Sequence, residues 1–597
     1  MAEYTAPLRD MQFVINELAG LDAVAALPGC GEVTPDLAEA VLDAAGKFAT
    51  EVLSSLNRVG DKTGAKLAGD TVTTPPGFKE AYARFVADGW NGLALDPEYG
   101  GQGLPQLIAT PVIEMWQAAN MAFALCPMLT EGAVEALMLR GSDALKNIYL
   151  PKMVSGEWTG SMNLTEPQAG SDLGQVRTRA VREGDHYRIT GQKIFITYGE
   201  HDWTDNIIHM VLARTPDAPE GVKGISMFVV PKFLVNEDGS LGARNDVHCA
   251  SLEHKLGIHA SPTAVLSYGE KEGAIGYLIG EENHGLAYMF IMMNMARFAV
   301  GVQGLGISER AWQQAVAFAK ERVQSADASV RGGKPVAIIR HPDVRRMLMS
   351  MKAKIEAMRA LCYVTATQLD ISFHHADEAM RQRAQAFVDL MIPVVKGWCT
   401  ENAIEITSTG IQIHGGMGFI EETGAAQHFR DARISTIYEG TTGIQAKDLI
   451  GRKLARDGGV VAKAVIAEMR ALDKQLAGSA DADLKVIHAR LAEGIGALEQ
   501  CVDWLVTNYG TDIKAASAGA VPFLKLFGIV AGGWQMARAA LVARQKLDAG
   551  DADAAFYKAK LGTARYYADY ELGQAEGLQA SIVEGAAGVL ALDEDQF

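Results

Sequence analysis

The 597-residue sequence is short of basic side chains: 55 Lys and Arg stand against 72 Asp and Glu, a formal net charge of −17 at pH 7. Such a chain has no general electrostatic affinity for nucleic acid or for an anionic membrane. Cysteine is scarce as well. Cys30, Cys126, Cys249, Cys362, Cys399 and Cys501 lie far apart, with no C-x-x-C pair. That excludes a zinc ribbon and a disulfide framework and fits a reducing, cytoplasmic setting. No uninterrupted apolar run reaches about 18 residues, so no membrane-spanning helix is expected. The opening Met1-Ala2-Glu3-Tyr4-Thr5-Ala6 has no basic segment followed by an apolar one, so no export signal is expected. Also missing are G-x-x-x-x-G-K-[ST], G-x-G-x-x-G after a strand, H-E-x-x-H and G-x-S-x-G. Their absence removes a P-loop, a Rossmann cofactor turn, that class of zinc protease and a hydrolase nucleophile elbow.

What remains has the composition of a globular protein, 48% hydrophobic and 21% charged, and a length that needs roughly two to four cores. Residues 1–155 read as a helical domain. Apolar positions recur at helical spacing over 35–58, 78–89, 106–125 and 130–140, with a loop at 96–103. Residues 156–280 change texture. Short β-branched and aromatic runs stand at His186–Ile189, Lys193–Thr197, Ile207–Ala213, Ile225–Val230 and Thr263–Tyr268. Glu183-Gly184-Asp185 and Thr190-Gly191-Gln192 read as turns between them, the pattern of a small antiparallel barrel or sandwich. Helical spacing returns over 281–455, with a surface loop at 323–342 and a second break over Gly410–Thr423. Residues 456–597 form a further helical unit whose apolar faces must be buried, most simply on the preceding helical domain. The fold class is α+β, mostly α.

One stretch combines a carboxylate with a ligand-like setting: Ile437-Tyr438-Glu439-Gly440-Thr441-Thr442. Glycine lets a ligand approach the backbone, and the threonines can cap the helical run that follows. A glutamate packed by Tyr438 and Ile437 is partly desolvated, which raises a carboxyl pKa and makes a better base near neutrality. The plain alternative is an acid in the first turn of a helix. Asn163–Asp172, where helices give way to strands, offers small residues, hydroxyls and N–H groups suited to a phosphate or a flavin edge, or else a polar interdomain loop. His414-Gly415-Gly416 is a turn or a site of close backbone approach. His248, Cys249, His254 and His259 fit no zinc spacing, so no metal site is assigned.

Taken in order, Thr-Glu-Pro-x-Ala-Gly-Ser-Asp at 165–172, Gly191–Thr197, Gln412–Phe419 and Ile-Tyr-Glu-Gly-Thr at 437–441 resemble the acyl-CoA dehydrogenase family over about residues 35–455. The remaining C-terminal unit resembles that of a longer bacterial subclass that includes methylthiopropionyl-CoA dehydrogenases. The resemblance implies a helical N-terminal domain, a middle β-barrel, a C-terminal four-helix bundle and the extra helical domain. It also implies FAD-dependent α,β-desaturation of an acyl-CoA, 3-methylthiopropionyl or a short- or medium-chain acyl group. Glu439 would take the α proton as hydride passes to the flavin.

By the same resemblance Leu164, Thr165, Phe195 and Thr197 approach the flavin ring, and Gly170 and Ser171 the pyrophosphate. Thr441 also faces FAD. Phe195 stands where many members have tryptophan. Arg322, Gln412, Gly415 and Gly416 reach the FAD of a neighbouring subunit, which implies a homodimer. Ser171, Arg297, Tyr438 and Gly440 face the acyl-CoA, and Asn294 replaces a common aspartate beside Arg297. Ala296 occupies the position of the base in other branches. Electron-transferring flavoprotein is the implied acceptor. An oxidase on the same fold and a flavin-bearing DNA-binding relative are the alternatives; a sequence pI near 5.3 opposes the second.

Overall fold

A computed structural model describes residues 4–597. The helices that position the site are α1 (Gln106–Arg140), α2 (Gly285–Glu321), α3 (Pro342–His374), α4 (Glu378–His414), α5 (Thr442–Asp448), α6 (Ala520–Asp548) and α7 (Ala554–Tyr570). The chain divides into two compact units. One takes the residues up to Gly46, Pro105–Ala118 and Val300–Phe597; the other takes Lys47–Leu104 and Ala119–Ala299.

In the first unit α3 and α4 run side by side and α6 packs on both. Glycines set the approach. A Cβ on Gly528 would fall 2.2 Å from Cγ of Trp398 on α4, and one on Gly532 would fall 2.8 Å from the same indole and 3.3 Å from Ala357 of α3. The C-terminal extension is therefore docked on the helices that precede it by bare backbone against a tryptophan face. Buried charge ties the same unit internally. Arg359 of α3 reaches Glu114 of α1 at 2.6 Å and Glu309 of α2 at 2.7 Å, all within 3% of full burial. Asp370 accepts the first N–H groups of α1, from Gln106 at 2.6 Å and Leu107 at 2.9 Å, a carboxylate placed where a helix N-terminus favours one.

The second unit is built on a curled eight-stranded sheet. Its strands are β1 (Trp158–Asn163), β2 (Arg179–Glu183), β3 (His186–Thr197), β4 (Asn206–Ala213), β5 (Ser226–Pro231), β6 (Val247–Leu252), β7 (Thr263–Tyr268) and β8 (Ala274–Leu278). The order is β6-β7-β3-β8-β5-β4-β1, with β2 paired beside β3. Every pair is antiparallel except β1 with β4. Ile189, Val211, Phe228, Val230, Ala264 and Leu266 meet in its core.

Several local expectations are corrected. Thr190-Gly191-Gln192 is not a turn, because β3 runs through it. Gly191, at φ +154°, lets the strand change partner from β8 to β7, and a Cβ there would strike Thr178 Oγ1 at 2.5 Å. The break between helical segments falls at Asn120 (φ −158°, ψ 88°) rather than after 125, where its side chain accepts from Phe123 N–H at 3.1 Å and restarts the helix. The 323–342 segment contains a hairpin, Val323–Ala326 with Pro335–Ala337. The break assigned to Gly410 begins at Gly415 (φ +59°). Contrary to the expectation of no such helix, among the described residues three helices, α1, α2 and α6, are long and apolar enough to cross a membrane by length and composition, their apolar stretches being interrupted by isolated polar residues; 61–83% of each stretch is buried inside the protein.

Candidate active site

In the helical unit the chain leaves a 3-10 turn at Arg433–Thr436 and enters α5 through Tyr438-Glu439-Gly440-Thr441. Glu439 has φ +55° and Gly440 φ +89°. A left-handed glutamate costs about 1–2 kcal/mol, so the surroundings must hold it. Three side chains do. Lys396 of α4 donates to Gly440 O at 2.7 Å. Gln445 of α5 donates to Glu439 O at 3.1 Å and Gly440 O at 3.2 Å. Thr441 accepts from Ile444 N–H at 3.2 Å and caps α5. Lys396 and Gln445 are both 0% exposed. Glu439 itself is half-buried, and Ile437, expected to pack over it, is exposed. The Tyr438 hydroxyl donates to Gln303 of α2, which in turn donates to Gln117 of α1 at 2.9 Å. Burial, then the Glu439 charge, push the Tyr438 pKa well up, so it stays a neutral donor.

A second cluster of the same unit lies at the far ends of α2 and α4. The Phe318 and His414 rings lie 4.5 Å apart at an interplanar angle of 30°, pairing the helix end that leads to Arg322 with the one that leads through Gln412 to Gly415 and Gly416. The last four are exposed, and Gly416 faces open space. Sixteen residues of helix separate Lys396 from Gln412 along α4, about 24 Å at 1.5 Å per residue.

In the sheet unit, the loop after β1 carries Leu164, Thr165, Gly170 and Ser171. It is organised by Glu166 and Lys193, an ion pair at 2.8 Å with exposures of 3% and 0%. Lys193 also donates to Leu164 O at 2.9 Å, while Glu166 accepts from Arg177 N–H at 2.7 Å and from Thr178 N–H and Oγ1 at 3.0 and 2.6 Å. Burial alone would raise the Glu166 carboxyl; Lys193 and the donors outweigh it and hold it at about 2. Burial pulls Lys193 down to about 8 against the opposing pull of Glu166. Ile194 N–H donates to Thr165 O at 2.9 Å, clipping loop to strand. The strand has an extra residue there: Lys193 and Ile196, three apart, oppose Leu266 and Ala264, two apart. That bulge puts Phe195 at φ +61° and turns its ring outward, 58% exposed, next to half-buried Thr197. Arg297 is buried, with Phe290 5.9 Å from its guanidinium. His248 lies beside Asp246 and Asp70, and His259 against the Asp61 and Lys255 carbonyls.

Sequence alone gives no role to Lys396, Gln445, Gln303, Glu166 or Lys193. A lysine inside Val394-Val395-Lys396-Gly397-Trp398 was the available signal. Within the sheet unit, an uncovered aromatic face at Phe195, an open glycine at Gly170 and hydroxyls at Thr165, Ser171 and Thr197 fit a flat, phosphate-bearing cofactor.

Four family models cover most of the chain: the N-terminal domain of acyl-CoA dehydrogenase over residues 36–157, its middle domain over 161–269, its C-terminal domain over 283–455, and an acetyl-CoA dehydrogenase C-terminal-like domain over 465–593. The chain is 50% identical to a 3-methylmercaptopropionyl-CoA dehydrogenase of Ruegeria pomeroyi, covering 98% of this chain and 99% of that one. It is 36% identical to a butyryl-CoA dehydrogenase of Syntrophomonas wolfei, with 94% of each covered. Its fold matches a Bacillus anthracis acyl-CoA dehydrogenase solved with FAD, at TM-score 0.73 and 21% identity, over 98% of this chain and 93% of that one. The chain belongs to the acyl-CoA dehydrogenase family.

Proposed function

We propose that the protein converts an acyl-CoA thioester to its α,β-unsaturated form, with Glu439 as the base. The observation that carries this is the left-handed Glu439–Gly440 turn, clamped by Lys396 and Gln445 at the entrance to α5. A base must be held in place to remove a weakly acidic α proton, and such positioning is worth a large part of the barrier. The chemistry a bound FAD would supply is that of a hydride acceptor for the β carbon. Leu164, Thr165, Phe195 and Thr197 would meet its ring, and Gly170 and Ser171 its pyrophosphate. Thr441 would lie against it, and Arg322, Gln412, Gly415 and Gly416 would hold the far end belonging to a second copy. The separation of about 24 Å along α4 supports giving that cluster a separate task. Tyr438, Gly440, Ser171 and Arg297 would contact the acyl-CoA, and the Glu439 N–H would steady the thioester carbonyl, an interaction commonly worth about 3 kcal/mol.

The acyl group we favour is 3-methylthiopropionyl, supported by full-length similarity to the Ruegeria enzyme. Electron-transferring flavoprotein as acceptor, a homodimer and a cytoplasmic location complete the reading; all six cysteines are free and buried. Anaerobic addition of 3-methylthiopropionyl-, butyryl-, octanoyl- and palmitoyl-CoA to the yellow protein tests it. Bleaching by the first at the lowest concentration is expected. Failure of all four to bleach the flavin would overturn the assignment, and rapid peroxide formation in air would make the protein an oxidase.

A further inference from the structure

We propose that Lys396 is a positioning residue for the reaction, acting through Glu439; this rests on the assignment of Glu439 as the base. Lys396 lies mid-helix on α4 with 0% exposure, flanked by Val394, Val395 and Trp398, which are at most 4% exposed. An ammonium taken out of water costs several kcal/mol unless polar groups compensate. One partner here is a backbone carbonyl, Gly440 O at 2.7 Å, the residue directly after the base. The site has a second clamp from a different element. Gln445 of α5, also 0% exposed, donates its amide to the carbonyls of both Glu439 and Gly440. These two hydrogen bonds fix the orientation of its amide toward the turn.

The two clamps address a specific strain. Glu439 at φ +55° lies uphill for a residue with a Cβ. Gly440 at φ +89° tolerates its conformation freely, yet it too is crowded: a Cβ there would meet Gln445 Nε2 at 2.8 Å. Thr442 fastens the start of α5 to Glu401, on the same helix as Lys396. Helix α4 and helix α5 thus grip one two-residue turn from opposite sequence directions. Without the Lys396 contact the turn can relax toward an ordinary right-handed conformation, and the carboxylate moves with it. A displacement of about 1 Å can cost 10²-fold in rate. Substrate affinity draws on contacts spread along the acyl-CoA and changes little.

The test uses the full-length flavoprotein in anaerobic stopped-flow with 3-methylthiopropionyl-CoA and butyryl-CoA. Lys396→Met should reduce its flavin about 10- to 100-fold more slowly than wild type, while substrate affinity, read from the flavin spectrum on binding, stays within roughly threefold. Placed on Glu439→Gln, Lys396→Met should slow the residual rate by less than about twofold, because groups that act as one unit are not additive. Wild-type reduction in K396M, or the same fold-loss on the E439Q background, would overturn the proposal. Should K396M lose its flavin, Gln445→Met carries the same expectations. A Glu439→Gln protein that reduces flavin at the wild-type rate removes the base assignment itself, whatever K396M does.

Discussion

Lys193→Met perturbs the loop that carries Leu164 and Thr165. The ammonium is 0% exposed and serves two acceptors, Glu166 Oε1 at 2.8 Å and Leu164 O at 2.9 Å. Removing it leaves a carboxylate 3% exposed without its counter-charge, a change that costs about 3–5 kcal/mol when a buried pair is broken. For a unit of this size each kcal/mol moves the unfolding midpoint by about 2–4 °C, so the shift should be about 6–20 °C downward. The folded Glu166 carboxyl sits at about 2, below its unfolded value. Its contribution is therefore present above the ordinary carboxyl range and lost as pH falls toward 2, and the comparison belongs near neutral pH. Far-UV circular dichroism melts and the FAD retained after gel filtration are the readouts. The double variant E166Q/K193M should recover a large part of the loss, because a neutral pair leaves no buried charge uncompensated. A K193M midpoint within about 1 °C of wild type, or a double variant less stable than either single one, would refute the ion-pair account.

Gly528→Ala puts a Cβ 2.2 Å from the Trp398 ring and should cost about 1–3 kcal/mol; limited proteolysis near residues 456–460 should quicken, and unchanged cleavage would contradict the docking described for α6. Light scattering on the intact protein should give about twice 63.9 kDa; a stable tetramer would show that the extension leaves the second pairing face open. Burial raises the Asp370 carboxyl to about 7 against the N–H groups of Leu107 and Gln106. A folded value above the unfolded one gives stability that is full at low pH and lost as pH rises through about 7. D370N should flatten that slope in urea titrations at pH values on either side, and an unchanged slope would remove Asp370 as its source.

Much of this was legible before any coordinates, for reasons that differ by residue. Ile437–Thr442 and Asn163–Asp172 stood out because hydroxyls, small residues and a carboxylate cluster there without forming an apolar face. Strand β7 was placed residue for residue because its flanking turns are strong. Strand β1 was missed because Trp158–Asn163 is buried throughout, and a strand covered on both faces shows no alternation. Gly191 read as a turn because glycine between two strand-like runs is equally consistent with a strand that bends at a change of partner. Asn120 was overlooked because a single capping side chain inside an apolar helix leaves the periodicity intact. Lys396 and Gln445 acquire meaning only when α4 and α5 are packed together: spacing shows that a polar group is buried, and only tertiary contact shows where its hydrogen bonds go.

Flavin reduction by Glu439→Gln, followed anaerobically with 3-methylthiopropionyl-CoA, bears most directly on the function proposed. The amide keeps the shape of the turn and its two carbonyl anchors but cannot take a proton. The variant should fold, hold FAD and bind acyl-CoA while reducing its flavin about 10²–10⁴-fold more slowly than wild type; reduction at close to the wild-type rate would contradict the assignment of Glu439 as the base.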